Sequence, residues 1–399
     1  MTATEHPVRT YPFGPPDGLK MNPNYAQLRA EPLVKVEMPY GGDAWLATRY
    51  EDVKIVLADP RFSRAEAVGK DVPRVMPPIE QETSILSMDP PEHSRLRKLV
   101  ARAFTARQIE RLRPRTQAIV DELLDRMIAA GSPADLAESL AWPLPITVIC
   151  ELLGVPVEDR DKFRVWTDRL LSLSGAEIEQ TEQARESLDA YLAELIARRR
   201  VEPTEDLLGQ LVVARDEGER LSEGELVAFG VTLLVAGHET TANQTGNFVF
   251  LLLDQPQLWQ QLVGDPDLVP AAVEELTRFV PLGASAAFAR IATEDLELGG
   301  RLVRKGESVV TTIASANRDE AVFDRPDEIN LTREQNPHVG FGYGVHHCLG
   351  APLARLELQL AVGTLVRRLP GLRLAVPADD VAWRVDRLVR GVRALPVAW

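Results

Sequence analysis

The stretch FGYGVHHCLG, residues 341–350, sets Cys348, one of the chain's two cysteines, between a glycine-rich turn and the start of an apolar helical pattern. Backbone N–H groups at a helix N-terminus stabilise a thiolate, the form of cysteine that attacks carbon or ligates metal. Gly342 and Gly344 allow the tight, side-chain-free path such a loop needs, and Phe341 can shield the sulfur from water. Three chemistries use an anionic sulfur here: ligation of a metal cofactor, nucleophilic attack with His346 or His347 as base, and zinc binding. Zinc needs three or four ligands and only these three residues cluster, so it ranks last. A plain buried cysteine leaves the glycines unexplained.

A second segment, LSEGELVAFGVTLLVAGHETTANQTGNFVFLLLDQP, residues 221–256, carries polar groups where they are costly. Ser222 and Glu225 form a capping-box signature, and Pro256 closes a helical pattern of about 30 residues, roughly 45 Å long. Most faces of this helix are apolar, which predicts burial. Its middle nevertheless reads AGHETT: a glycine, two threonines and an ionisable pair, chosen for something other than helix stability.

Other pairs sit at helical spacing. His93 and Arg97 in MDPPEHSRLRKLV, at i and i+4, share a face and can grip a carboxylate. Glu275 and Arg278 in VPAAVEELTRFV, at i and i+3, can pair with each other. Behind Cys348, Leu349, Leu353, Leu356 and Leu360 form the stripe of a core-packing helix. AWLATRYEDVKIVLAD reads as a strand and a short helix, and TEDLELGGRLVRKGESVVTT as strands with hairpin punctuation. Helical signals dominate from residue 92 to 369 without a low-complexity linker. The expected fold is mainly α with minor β, one domain over residues 1–399, with an irregular proline- and glycine-bearing lead-in over 1–20.

The 399 residues carry a formal charge of −14, so the average surface repels nucleic acid and anionic lipid. No apolar run is long enough to cross a bilayer and the first residues lack the order of a secretion signal, which predicts a cytoplasmic protein. Cys150, inside PITVICELLGV, reads as a core residue rather than a disulfide partner. Against the acidic background, Arg95, Arg97, Lys98, Arg102, Arg107, Arg111, Arg113 and Arg115 are opposed by Glu110 alone, a local positive face.

The spacing F-G-x-G-x-H-x-C-x-G is met in full by Phe341, Gly342, Gly344, His346, Cys348 and Gly350. With AGHETT and Glu275-x-x-Arg278 upstream in the right order, the chain resembles the cytochrome P450 family of heme-thiolate monooxygenases from residue 20 to its end. The resemblance implies that family's fold, a long central helix over heme b with the cysteine loop on the opposite face. It implies Cys348 as the proximal iron ligand, whose electron donation favours O–O cleavage. Ala236 and Gly237 would open space over the iron, and Glu239 and Thr240 would be the acid-alcohol pair of proton delivery. His93, Arg97, Arg290 and His346 match the partners of the heme propionates. Glu275 and Arg278 match a structural ion network, with Arg333, or its rival His338, as third member.

The same resemblance makes Leu282, Ala284, Ser285, Ala286 and Ala287 pocket-lining, together with Leu233, Leu234, Leu388, Val389 and the loop VPRVMPPIEQETSIL. Such small and apolar side chains suit a bulky apolar substrate, a macrolide, polyketide or other secondary metabolite, as in actinobacterial tailoring hydroxylases. The implied reaction is hydroxylation or epoxidation by a monomeric enzyme. Electrons would come from NAD(P)H through a ferredoxin reductase and a ferredoxin docked on the positive face. A peroxide-driven peroxygenase and a non-catalytic heme sensor are the rivals; the acid-alcohol pair counts against both.

Overall fold

The computed structural model describes residues 9–77, 84–216, 221–283 and 288–399. Ala284, Ser285, Ala286 and Ala287, and residues 78–83 of the proline-bearing loop, lie outside the described residues.

The fold is mainly helical. Eight of its helices position the residues named above: α1 (Tyr50–Ala58), α2 (Glu92–Val100), α3 (Ala106–Ala130), α4 (Pro143–Leu153), α5 (Arg160–Leu170), α6 (Glu223–Asp254), α7 (Val269–Phe279) and α8 (Ala351–Arg368). The central one is α6, 32 residues and therefore roughly 48 Å long. Its N-terminus closes as a full capping box, with Glu225 N–H donating to Ser222 Oγ at 3.1 Å and Ser222 N–H to Glu225 Oε2 at 2.7 Å. From Thr241 to Leu253 every residue of α6 is buried, because α4, α7, α8 and the C-terminal strands close around it. On α8, Leu353, Leu356 and Leu360 face the same apolar core, while Leu349 is only partly buried.

The β structure is minor. A six-stranded sheet runs in the order Arg9–Thr10, Val34–Glu37, Asp43–Ala47, Ser308–Thr311, Arg290–Ala292, Phe62–Ser63. Its antiparallel register sets Arg290 opposite Val309 and so fixes one cationic side chain of the site. The hairpin Leu296–Leu298 with Arg301–Val303 turns at Gly299 and Gly300, both at positive φ as a two-residue turn requires.

One expectation needs correction here. The lead-in is not wholly irregular: Arg9 and Thr10 pair in parallel with Val36 and Glu37, and Tyr11 behind them is buried. Two paired residues are too few to leave an alternating pattern, which is why the sequence shows only its prolines and glycines.

Candidate active site

The cysteine loop is held by its own backbone. Cys348 N–H donates to Phe341 O at 2.8 Å, His347 N–H to Gly344 O at 3.0 Å, and Gly342 N–H to Val339 O at 2.8 Å. Gly342 and Gly344 adopt φ of 76° and 70°, in the left-handed region that glycine enters without strain. At Gly344 space is also decisive, since a Cβ would lie 2.6 Å from Leu57 O in α1.

The sulfur sits at the N-terminus of α8, where Gly350 N–H and Ala351 N–H point to it. Cys348 is exposed by area, yet burial pushes its thiol up against the pull of Gly350 N–H, Arg97 and Ala351 N–H. The two observations agree if the sulfur lines an internal cleft, reachable by water but enclosed by protein. A metal ion bound there must displace the thiol proton. Cys150 differs: it is fully buried in α4, with its thiol pushed up to about 12 by burial.

Beside the loop lies a cluster of anion-seeking donors. The His93 and His346 rings stand 4.3 Å apart between centroids, and Arg290 is 3% exposed. His93 Nδ1, His346 Nε2 and Arg290 Nη2 are buried with no hydrogen-bond partner among the described residues. Burial, then the charges of Arg64, His93 and Arg290, hold His346 down at about 2. Burial brings Arg290 to about 10 and lowers His93, whose second cause is Arg97. Arg97 Nη2 donates to His347 O at 2.7 Å, tying α2 to the cysteine loop, and burial lowers its guanidinium as well. Donors gathered with so little counter-charge fit the two carboxylates of heme b.

On α6, Ala236 is exposed and Leu233 and Thr240 are partly exposed. Thr240 Oγ1 donates to Ala236 O at 3.0 Å, the ordinary back-bond of a helical threonine, which keeps the hydroxyl at the helix surface. Glu239 is buried: its Oε1 accepts from Arg384 Nη1 at 2.7 Å and Asn243 Nδ2 at 3.1 Å, and its Oε2 has no partner among the described residues. His238 is buried with Nδ1 against Leu234 O at 2.7 Å, and burial lowers it.

Of the expected positions on α6, Leu234 faces elsewhere and Gly237 has a packing role of its own. A Cβ on Gly237 would meet Ile149 Cδ1 and Cγ1 at 2.7 Å, so the missing side chain admits α4, while the residue itself stays partly exposed. Leu234 is 0% exposed and packs in the helical core, one residue round the helix from the cleft-facing Leu233. A strict 3.6-residue period separates such neighbours by about 100°, enough to move a side chain from cleft to core.

The segment carrying Leu282 and the one carrying Leu388 and Val389 meet as backbone partners. Arg390 N–H donates to Leu282 O at 2.9 Å, and Asn247 Nδ2 of α6 holds Arg390 O at 3.0 Å. Leu282 is half-buried, Leu388 and Val389 buried.

The ion network is buried at its centre. Arg278 donates Nε and Nη2 to Glu275 at 2.9 and 2.8 Å, Arg333 Nε donates to Glu275 Oε2 at 3.0 Å, and Glu275 and Arg278 are 0% exposed. Arg333 is thus the third member, whereas His338 bonds Glu274 instead.

Sequence reasoning missed Arg384 and Asp168. Arg384, in a strand paired to Gly391–Val392, links Glu239 to Asp168 of α5, and no spacing signals a contact 145 residues apart. Burial pushes the Asp168 carboxyl up, and Arg387 and Arg384 more than reverse it. On α2, α3 and the turn between them, Lys98, Arg102 and Arg107 are exposed and form no ion pair among the described residues, while Arg95, Arg113 and Arg115 each hold a glutamate.

A glycine-framed cysteine loop at the head of α8 and a long central helix broken by polar residues, within this fold, define a cytochrome P450. The chain belongs to the cytochrome P450 family, whose members carry heme b, and matches it over residues 16–370. It is 56% identical to the nocardicin C N-oxygenase of Nocardia uniformis subsp. tsuyamanensis over 401 residues, covering 100% of both. It is 50% identical to the mycinamicin IV hydroxylase/epoxidase of Micromonospora griseorubida, again covering 100% of both. Among solved structures, the LnmA cytochrome P450 hydroxylase from the leinamycin biosynthetic pathway of Streptomyces atroolivaceus S-140 superposes with a TM-score of 0.91 at 51% identity, covering 98% of this chain and 100% of that one. Among the described residues, no helix is long and apolar enough to cross a membrane.

Proposed function

We propose that this P450 monooxygenase inserts one oxygen atom into a bulky, largely apolar secondary metabolite of the polyketide or macrolide kind. The observation that carries the reading is the Cys348 sulfur at the N-terminus of α8, together with the buried nitrogens of His93, His346 and Arg290 that have no partner among the described residues. Cys348 ligates the iron, and His93, Arg97, Arg290 and His346 hold the propionates. Bound heme supplies the iron chemistry that activates dioxygen. The chain's own residues do the rest: Gly350 N–H and Ala351 N–H keep the sulfur anionic once its proton is displaced. Glu239 Oε2, the free oxygen of a tethered carboxylate, hands protons toward Thr240 Oγ1 at the cleft surface. Leu233, Leu282, Leu388 and Val389 shape the substrate pocket.

Electrons reach the iron from NAD(P)H through a ferredoxin reductase and an acidic ferredoxin docked over Lys98, Arg102 and Arg107. Relatives named for mycinamicin IV and leinamycin support the substrate class. The relative named a nocardicin C N-oxygenase favours a second mode, oxygen delivered to nitrogen rather than carbon. The test is turnover with ferredoxin, ferredoxin reductase and NADPH on compounds that shift the ferric iron from low to high spin. A product heavier by one oxygen atom from labelled O2 supports the reading, and its fragmentation separates the two modes. Spin shift without oxygen incorporation overturns it.

A further inference from the structure

The cysteine loop is clasped from outside by one carboxylate that belongs to neither the ion network nor the donor cluster. Glu274, next to Glu275 on α7, accepts from Arg355 Nε at 2.7 Å and Nη2 at 2.8 Å, and lies 3.0 Å from His338 Nε2. His338 stands just before the loop and Arg355 just after it on α8, so Glu274 joins both arms. Gly340 N–H donates to His338 Nδ1 at 3.1 Å, which leaves Nε2 as the protonated nitrogen facing Glu274. Arg355 in turn lies over the Phe341 ring, its guanidinium carbon 4.4 Å from the centroid. Phe341 is the residue whose carbonyl accepts from Cys348 N–H.

Arg355 thus bears on the sulfur through Phe341, whose ring it covers and whose carbonyl holds the Cys348 amide. Glu274 itself is held at about 2, where burial is outweighed by the His338 and Arg355 hydrogen bonds. It is therefore a full negative charge at neutral pH. A cation near a ligating sulfur favours the electron-rich, reduced state of the metal, and a carboxylate paired with that cation cancels the effect.

We propose that Glu274 is a positioning residue that fixes Arg355 against Phe341 and neutralises it, and thereby sets the reduction potential of the Cys348-ligated iron. The inference rests on the reading of Cys348 as iron ligand. It concerns charge, not the fold of the loop alone.

The test is a spectroelectrochemical titration of the ferric/ferrous couple in purified holoenzyme for Glu274→Gln, Arg355→Met and Arg355→Lys. Glu274→Gln leaves Arg355 uncompensated and favours reduction by roughly threefold or more, which is about 30 mV upward at 59 mV per tenfold for one electron. Arg355→Met leaves Glu274 uncompensated and moves the couple downward by a similar factor, while Arg355→Lys keeps the charge and returns it most of the way. The 450 nm band of the ferrous carbon monoxide complex, read in each sample, reports the thiolate separately. Its absence from the unmutated protein would defeat the ligand assignment, whereas its presence with unshifted potentials, or with both charge-removing variants moving the same way, overturns the role of Glu274. If Glu274→Gln yields no holoenzyme, the Arg355 pair decides: equal potentials in the methionine and lysine variants overturn it.

Discussion

Arg384 Nη1 donates to Glu239 Oε1 across 2.7 Å, so a buried acid in the middle of α6 is moored to a strand near the C-terminus. Arg384 is itself held by Asp168, stacks over Trp142 at 4.8 Å from the ring centroid, and is 8% exposed. Removing one partner of a buried pair leaves the other charge uncompensated, at a cost of about 3–5 kcal/mol. Arg384→Met therefore lowers thermal stability sharply. The Glu239→Gln/Arg384→Met double variant is less damaged than the sum of its singles by at least about 1 kcal/mol, since each single strands the other's charge or donor. Chemical denaturation of all four proteins measures this.

Thr240 holds its hydroxyl at the cleft surface by bonding Ala236 O. Thr240→Ala keeps the helix and substrate binding but loses proton delivery, so reducing equivalents leave as hydrogen peroxide. General acid–base groups contribute about 10²–10⁴-fold. A fall of at least tenfold in product formed per NADPH, with a matching rise in peroxide, is expected; unchanged coupling removes Thr240 from the relay.

Cys348→Ser replaces the sulfur while the Gly342 and Gly344 turns still place the side chain at the head of α8. The red-shifted Soret band of the reduced carbon monoxide complex disappears in this variant. Its persistence would assign the ligand elsewhere.

Gly237 packs α6 against Ile149 of α4. Gly237→Ala forces a Cβ into a gap 2.7 Å from two Ile149 carbons and costs about 1–3 kcal/mol, as overpacking does. Ile149→Val in the same chain relieves part of that cost. A stable Gly237→Ala protein with altered substrate spin shift would instead return this glycine to the cleft.

Glu274 carries a pH signature independent of heme. Its carboxyl falls from 4.5 to about 2 on folding, so its stabilising contribution is complete above pH 4.5 and is lost as pH falls towards 2. Urea unfolding of the chain and of Glu274→Gln should differ most above pH 4.5 and converge on acidification.

What could be read from residues alone is what lies close in the chain. The cysteine loop, the Ser222–Glu225 box, and the Glu275–Arg278 pair all fall within ten positions, and each recurs in space as spaced in sequence. Arg384 and Asp168 could not be found that way, because they meet across 216 residues from a short strand and a helix face. Gly237 was ambiguous for another reason: a missing side chain looks the same whether the space belongs to a ligand or to Ile149. Leu233 and Leu234 are chemically identical neighbours, and only the rotation of a packed α6 tells them apart.

The bond from Arg390 N–H to Leu282 O, with Asn247 gripping Arg390 O from α6, has a bearing on how such proteins diversify. Gly391 presses so close to Asn243 that the backbone there has no room to wander. Leu388 and Val389 thus hang from a rigid beam and can be exchanged like tiles. An exchange at those two places is felt as a change of side-chain volume alone, while the strand, Asn247 and Leu282 keep their positions.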